Sequence, residues 1–100
     1  MSNEFSGKTA LISGGAGGIG FALAEEFGQL GMKIVIADID KQQLAEAEQK
    51  LQDANIQVLA CPLDVTSYQQ WQDTVTAAEN KFGDIHMLIN NAGVGGIPGS

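Results

Sequence analysis

The chain has no arginine. Its five cations are all lysines, set against twelve Asp and Glu, so the 100 residues carry a formal charge of −7. A protein that grips nucleic acid needs a basic stripe, and one that docks on anionic lipid needs a basic cluster. Neither is here, and most of the acidic side chains read as a solvated surface. A single cysteine, Cys61, excludes an internal disulfide. With a single histidine, His86, it also excludes a zinc site built from Cys and His. No apolar run approaches the ~20 residues that span a bilayer, and residues 1–8 carry no basic-then-apolar leader. The expectation is a soluble, cytoplasmic protein that engages neither nucleic acid nor membrane.

What is present is a rhythm. Short apolar runs alternate with longer amphipathic stretches, which implies βαβ units around a parallel sheet. The runs predict strands at 8–13, 33–38, 57–61 and 85–89. Helices are expected at 19–30, at 41–54, and from Thr66 or Ser67 to Phe82. Leu44, Ala47 and Leu51 form the apolar stripe of the second helix; Trp71, Val75, Ala78 and Phe82 form that of the third. Residues 94–100 carry no element of their own. The order β-α-β-α-β-α-β gives an α/β, Rossmann-like doubly wound sheet with strand order 3-2-1-4. Right-handed crossovers put two helices on one face and one on the other. One face is then poorly covered, although strands apolar on both sides need cover on both. The fold reads as incomplete, and the expected consequences are marginal stability and self-association.

Between the run Thr9-Ala10-Leu11-Ile12 and the helix that continues through Phe21 lies Ser13-Gly14-Gly15-Ala16-Gly17-Gly18-Ile19-Gly20. A strand that turns through glycines into a helix offers backbone N–H groups and a positive helix end to an anion. Gly15, Gly17 and Gly20 match G-x-G-x-x-G, while Gly14, Gly18 and Gly20 match the wider G-x-x-x-G-x-G. No Gly-Lys-Ser/Thr follows, which excludes a P-loop. The fitting guest is the pyrophosphate of a dinucleotide. Asp38, at the end of the second strand, is placed to accept the ribose hydroxyls. Its charge repels a 2′-phosphate, and Gly17 and Ile39 stand where a basic partner for that phosphate is usually found. Lys41 is the one cation close by in sequence. NAD is therefore expected in preference to NADP. Asp64 either accepts a hydrogen bond from the adenine amino group or caps the following helix, and Val65 is suited to pack on the ring. His86 reads as structural or solvated.

The glycine segment, Asp38, Asp64-Val65 and Asn90-Asn91-Ala92-Gly93 together resemble the N-terminal half of a short-chain dehydrogenase/reductase. The resemblance covers essentially the whole chain, 1–100, as part of a single NAD(P)-binding domain. Ser13 stands where that family's motif normally begins with Thr, and it keeps the hydroxyl. The resemblance selects the Gly14, Gly18, Gly20 register. It implies that Gly14 to Gly20 hold the pyrophosphate, Asp38 the ribose, and Asp64 and Val65 the adenine, with Ser13 and Ile39 among the cofactor-binding residues. Asn91, Ala92 and Gly93 would line the nicotinamide side, with Asn90 and Asn91 bracing the central strands.

By the same resemblance, catalysis rests on a Ser, an Asn and a Tyr-x-x-x-Lys pair that would lie beyond Ser100. Tyr68 is followed by Gln69, Gln70, Trp71 and Gln72 and does not fit. No catalytic residue and no metal ligand is assigned within these residues, and the chain alone is expected to be inactive. The implied function is an NAD-dependent oxidoreductase, homo-oligomeric when complete, moving a hydride between nicotinamide and a small alcohol or carbonyl compound. A non-catalytic NAD-binding or interaction module from a truncated gene product is the alternative. A methyltransferase also uses a glycine-rich first loop, but Asn90-Asn91-Ala92-Gly93 argues against it.

Overall fold

Every residue of β1 (Thr9–Ser13) is buried, as is the middle of β2 (Lys33–Asp38). Such two-sided burial is what a central parallel strand demands. The computed structural model describes residues 4–91. The other elements are α1 (Gly18–Gln29), α2 (Lys41–Asp53), β3 (Val58–Pro62), α3 (Tyr68–Phe82) and β4 (Met87–Asn90). All strand pairs are parallel, and the sheet order is β3-β2-β1-β4. This is the expected doubly wound arrangement. The reading of 94–100 lies outside the described residues.

The pleat sends alternate side chains to opposite faces. Ala10, Ile12, Ile34 and Ile36 meet Ala24 of α1 and Leu44, Ala47 and Leu51 of α2. On the other face Leu11, Val35 and Ala37 meet Cys61, Leu63 and Ala78 of α3. Two helices on one side and one on the other is the distribution that right-handed crossovers require. Coverage is unequal at β4. Met87 and Ile89 are half-buried toward the α1–α2 side, whereas Leu88 is 60% exposed.

Helix α3 departs from its expected stripe. Its buried residues are Thr74 and Ala78, flanked by the half-buried Trp71, Ala77 and Phe82. Val75 falls to the flank of that line and borders, with Tyr68 and Gln72, a groove of about 600 Å³ along the helix. Ser67 is the N-cap, its Oγ accepting from the Gln70 N–H at 3.2 Å.

Two strands also shift. β3 runs on to Pro62, tolerated because an edge strand can spare an N–H. β4 pairs with β1 from Met87 rather than Ile85. At its foot the Thr9 N–H donates to Nδ1 of His86 at 3.1 Å, while the His86 N–H donates to the Thr9 carbonyl at 2.9 Å. The imidazole takes up the Thr9 N–H at the foot of β4, which gives His86 the structural one of the two roles expected of it.

Candidate functional site

The glycine loop rests on β2. With Ser13 in register with Ala37, the N–H groups of Gly14 and Gly15 both donate to the Ala37 carbonyl, at 2.7 and 3.3 Å. The Ala16 N–H then reaches Oδ2 of Asp38 at 3.2 Å, and Oδ1 accepts from the Asp40 N–H at the same distance. On the opposite side, Asn91 Nδ2 donates to the Gly14 carbonyl at 3.2 Å. The Ser13 hydroxyl donates to Asn90 Oδ1 at 2.9 Å. The asparagine pair thus ties the end of β4 to the end of β1 and to the start of the loop.

Helix α1 begins differently from its neighbours. Asp40 caps α2 and Ser67 caps α3 through side-chain oxygens, but the N-cap of α1 is Gly17, which offers none. The first N–H groups of a helix have no partner within it, and here no cap takes them up. Gly18 enters the helix with φ +58°, a conformation that disfavours side chains, and an added Cβ there would meet open space. A Cβ on Gly20 would instead run into the Gly14 carbonyl, so only glycine lets the helix start this close beneath the turn. Gly14 and Gly18 have positive φ and Gly20 makes the close approach, so all three positions of the wider glycine template carry a backbone requirement.

Beside the loop, Gly14, Asp38, Ile39, Leu63, Asp64 and Val65 line a cleft of about 170 Å³. The parallel order brings the C-terminal ends of β1, β2 and β3 side by side, and the Leu63 N–H fastens to the Asp38 carbonyl at 2.9 Å. Ile39 stands 69% exposed at this cleft, and Ile19, in the first turn of α1, is 72% exposed.

Asp64 does not cap α3. Its Oδ1 closes a local turn, accepting from the Thr66 hydroxyl at 2.6 Å and the Thr66 N–H at 2.9 Å. These bonds, the hydroxyl's first, hold the Asp64 carboxyl below its ordinary range. Among the described residues Oδ2 takes no hydrogen bond, which leaves an ionised acceptor beside the cleft.

On the other side of the loop, Ala16, Gly17, Gly18, Gln43, Glu46 and Lys50 border a second cleft, of about 260 Å³. Along the sequence Lys41 is the cation near the loop; the fold brings Lys50 to it as well. The signal was the 43, 46, 50 spacing, which puts these side chains on one face of α2. Leu63 joins the first cleft without a sequence signal, and Trp71, expected in the core stripe, does more than pack. Trp71 is half-buried, and its indole N–H also donates to the Val65 carbonyl at 3.0 Å. Ala92 and Gly93 lie outside the described residues. Among the described residues no three His, Cys, Asp or Glu gather as a metal site, and no helix is long and apolar enough to cross a membrane.

The chain matches the model of the short chain dehydrogenase family over residues 8–99. It is 41% identical over 96 residues to 5-keto-D-gluconate 5-reductase of Escherichia coli strain K12, covering 94% of this chain and 38% of the relative. A short chain dehydrogenase/reductase from Burkholderia phymatum in complex with NAD superposes with a TM-score of 0.83 at 41% identity, over 85% of this chain and 30% of that one. L-sorbose reductase from Gluconobacter frateurii, complexed with NADPH and L-sorbose, does so with a TM-score of 0.82 at 34% identity, over 86% and 33%. The chain spans 33 to 38% of the length of the curated relatives it matches. With a sheet order, a glycine loop and a matched span that agree, the chain belongs to the short chain dehydrogenase family of oxidoreductases.

Proposed function

We propose that residues 13–20, Asp38, Ile39, Asp64, Val65 and Asn91 bind a nicotinamide dinucleotide, NAD in preference to NADP. The protein that carries them is then an oxidoreductase of a small alcohol or carbonyl compound, working as a homo-oligomer. The observation that carries the reading is the single cleft bordered by Gly14, Asp38, Ile39, Asp64 and Val65, next to a helix start without a side-chain cap.

The residues fit such a group. Uncapped N–H groups of α1 and its positive end stabilise a pyrophosphate. The Asp38 carboxylate, already steadied by two backbone N–H groups, has lone pairs left for ribose hydroxyls. The unpartnered Asp64 oxygen accepts from the adenine amino group, with Val65 against the ring. When bound, the dinucleotide supplies or takes up a hydride at its nicotinamide ring. This chain's part is to hold and orient it. Ala92 and Gly93 are proposed with Asn91 on the nicotinamide side.

The NAD preference rests on charge. Asp38 repels a 2′-phosphate at the cleft, and Glu46 shares the second cleft with Lys50, so neither cleft is net basic. Calorimetric titration of the full chain with NAD and with NADP tests both parts. Tighter NAD binding is the expected result. Equal or tighter NADP binding overturns the preference, and binding of neither overturns the reading. NAD binding by the whole protein that carries these residues, with no turnover of any alcohol or carbonyl compound, replaces the enzyme with a binding module.

A further inference from the structure

We propose that the first turn of α3 sets adenine recognition: Gln70 and Trp71 are positioning residues that hold the Asp64–Val65 turn in its receiving geometry. The inference rests on the reading of that cleft as the adenosine end of a dinucleotide site.

The turn is pinned from the α3 side at two successive residues. The Asp64 N–H donates to Gln70 Oε1 at 2.7 Å, and the Val65 carbonyl accepts from Trp71 Nε1 at 3.0 Å. One is a donor and the other an acceptor, so the turn cannot swing without breaking a bond of each kind. Gln70 is the third residue of a helix capped by Ser67. A glutamine there ordinarily reaches back to the N–H of the capping residue itself. Here it reaches three residues further, to Asp64. Trp71 likewise satisfies its indole N–H on the loop.

The carboxylate of Asp64 is fixed in turn. Thr66 occupies Oδ1, so the orientation of Oδ2 follows from where the Asp64 backbone sits. Two side chains that touch no proposed ligand atom thereby aim the one acceptor that would read a 6-amino group. Loss of either bond loosens the turn by an amount typical of a single hydrogen bond, too little to unfold the domain.

The test is calorimetric titration of the full chain, wild type, Gln70→Leu and Trp71→Phe, with NAD and with its hypoxanthine analogue. The analogue carries a 6-oxo group in place of the 6-amino group. Wild type is expected to prefer NAD by roughly tenfold, the scale of one hydrogen bond to a charged acceptor. In both variants the preference should fall to about threefold or less, mostly through weaker NAD binding. A role confined to packing would weaken both dinucleotides alike and leave their ratio intact. Gln70 is exposed and its substitution spares the core, so it carries the test should Trp71→Phe fail to fold. An unchanged ratio in Gln70→Leu overturns the inference while the cofactor reading stands. Wild type that binds both dinucleotides equally also overturns it, since there is then no amino-group readout to aim. Wild type that binds neither overturns the cofactor reading, and this inference with it.

Discussion

The backbone N–H of Ala16 points at the carboxylate of Asp38, 3.2 Å from Oδ2. One residue belongs to the glycine loop and the other ends β2, so the contact couples the proposed phosphate cradle to the proposed ribose acceptor. The coupling follows from the parallel pairing of β1 with β2, which brings Ser13 opposite Ala37. Asp38 is therefore held in place by the protein before any ligand arrives, and preorganisation of this kind lowers the cost of binding.

Replacing Asp38 tests both halves of that coupling. Asp38→Ala is expected to weaken NAD binding by roughly tenfold or more, since it removes a charged acceptor and releases the Ala16 N–H. Asp38→Asn keeps the shape but not the charge, and should narrow the gap between NAD and NADP. Titration calorimetry of the full chain with both dinucleotides reads the two effects. Unchanged NAD affinity in Asp38→Ala would remove the ribose assignment.

Two glycines of the loop should respond to the same substitution by different amounts and for different reasons. Gly18→Ala places a methyl group in open space and costs only the left-handed backbone, about 1–2 kcal/mol. Gly20→Ala drives a methyl group into the Gly14 carbonyl, backbone against backbone, so either the helix or the turn must move. Urea unfolding should show the Gly20 variant as the less stable, and titration should show it with the weaker NAD binding. Equal losses in the two variants would mean that the turn yields more easily than its packing indicates.

Much of the fold was legible because strand ends and helix starts coincide with residues that have few other uses. The run Lys33–Asp38, apolar on both faces through its middle, predicts β2 with its bounds. Asp38 and Asp64 stood out as acids just after such runs. The bonds of Gln70 and Trp71 to the Asp64–Val65 turn are not legible in the sequence, because their local patterns have ordinary explanations, a solvated helix face and a core stripe. Only the path of the loop puts a carbonyl opposite the indole N–H. Lys50 was hidden for a related reason, since its position matters only once the face of α2 toward the loop is known. The displacement of Val75 shows the limit of spacing alone: 71, 75, 78 and 82 form a valid stripe, but the sheet chose the neighbouring line through Thr74.

Leu88 presents a large apolar side chain on the side of β4 that α3 does not cover. Exposed apolar strand surface of this kind promotes association. The 100-residue chain should self-associate in sedimentation velocity, and Leu88→Lys should shift it toward monomer. An unchanged distribution in that variant would move the contact elsewhere on the surface.

Cys61 is buried, and desolvation, with a smaller contribution from Glu48, pushes its thiol pKa above the ordinary value. The unfolded chain releases that proton first as pH rises. Folding stability associated with Cys61 is thus fully present below the ordinary thiol pKa, and is lost as pH climbs from there toward the raised one. Cys61→Ala removes the titration, so the stability difference between wild type and variant should shift against wild type above about pH 9 in urea unfolding. In the folded chain Cys61 should also react with iodoacetamide far more slowly than in urea. Equal rates would contradict its burial.

Thr9 carries the one buried side-chain polar atom without a hydrogen-bond partner among the described residues, its Oγ1. The backbone of Thr9 is fully engaged with His86, and the residue is 0% exposed. A buried hydroxyl with no partner costs free energy that a methyl group of the same shape does not. Valine keeps the β-branch that suits a central strand. Thr9→Val should therefore stabilise the fold by about 1 kcal/mol, read as a higher urea midpoint at unchanged slope. NAD affinity should stay as in wild type, because Thr9 lies at the opposite end of β1 from the glycine loop. A lower midpoint would mean that the hydroxyl has a partner in solution, and a water bridging it to the foot of β4 would be the first place to look.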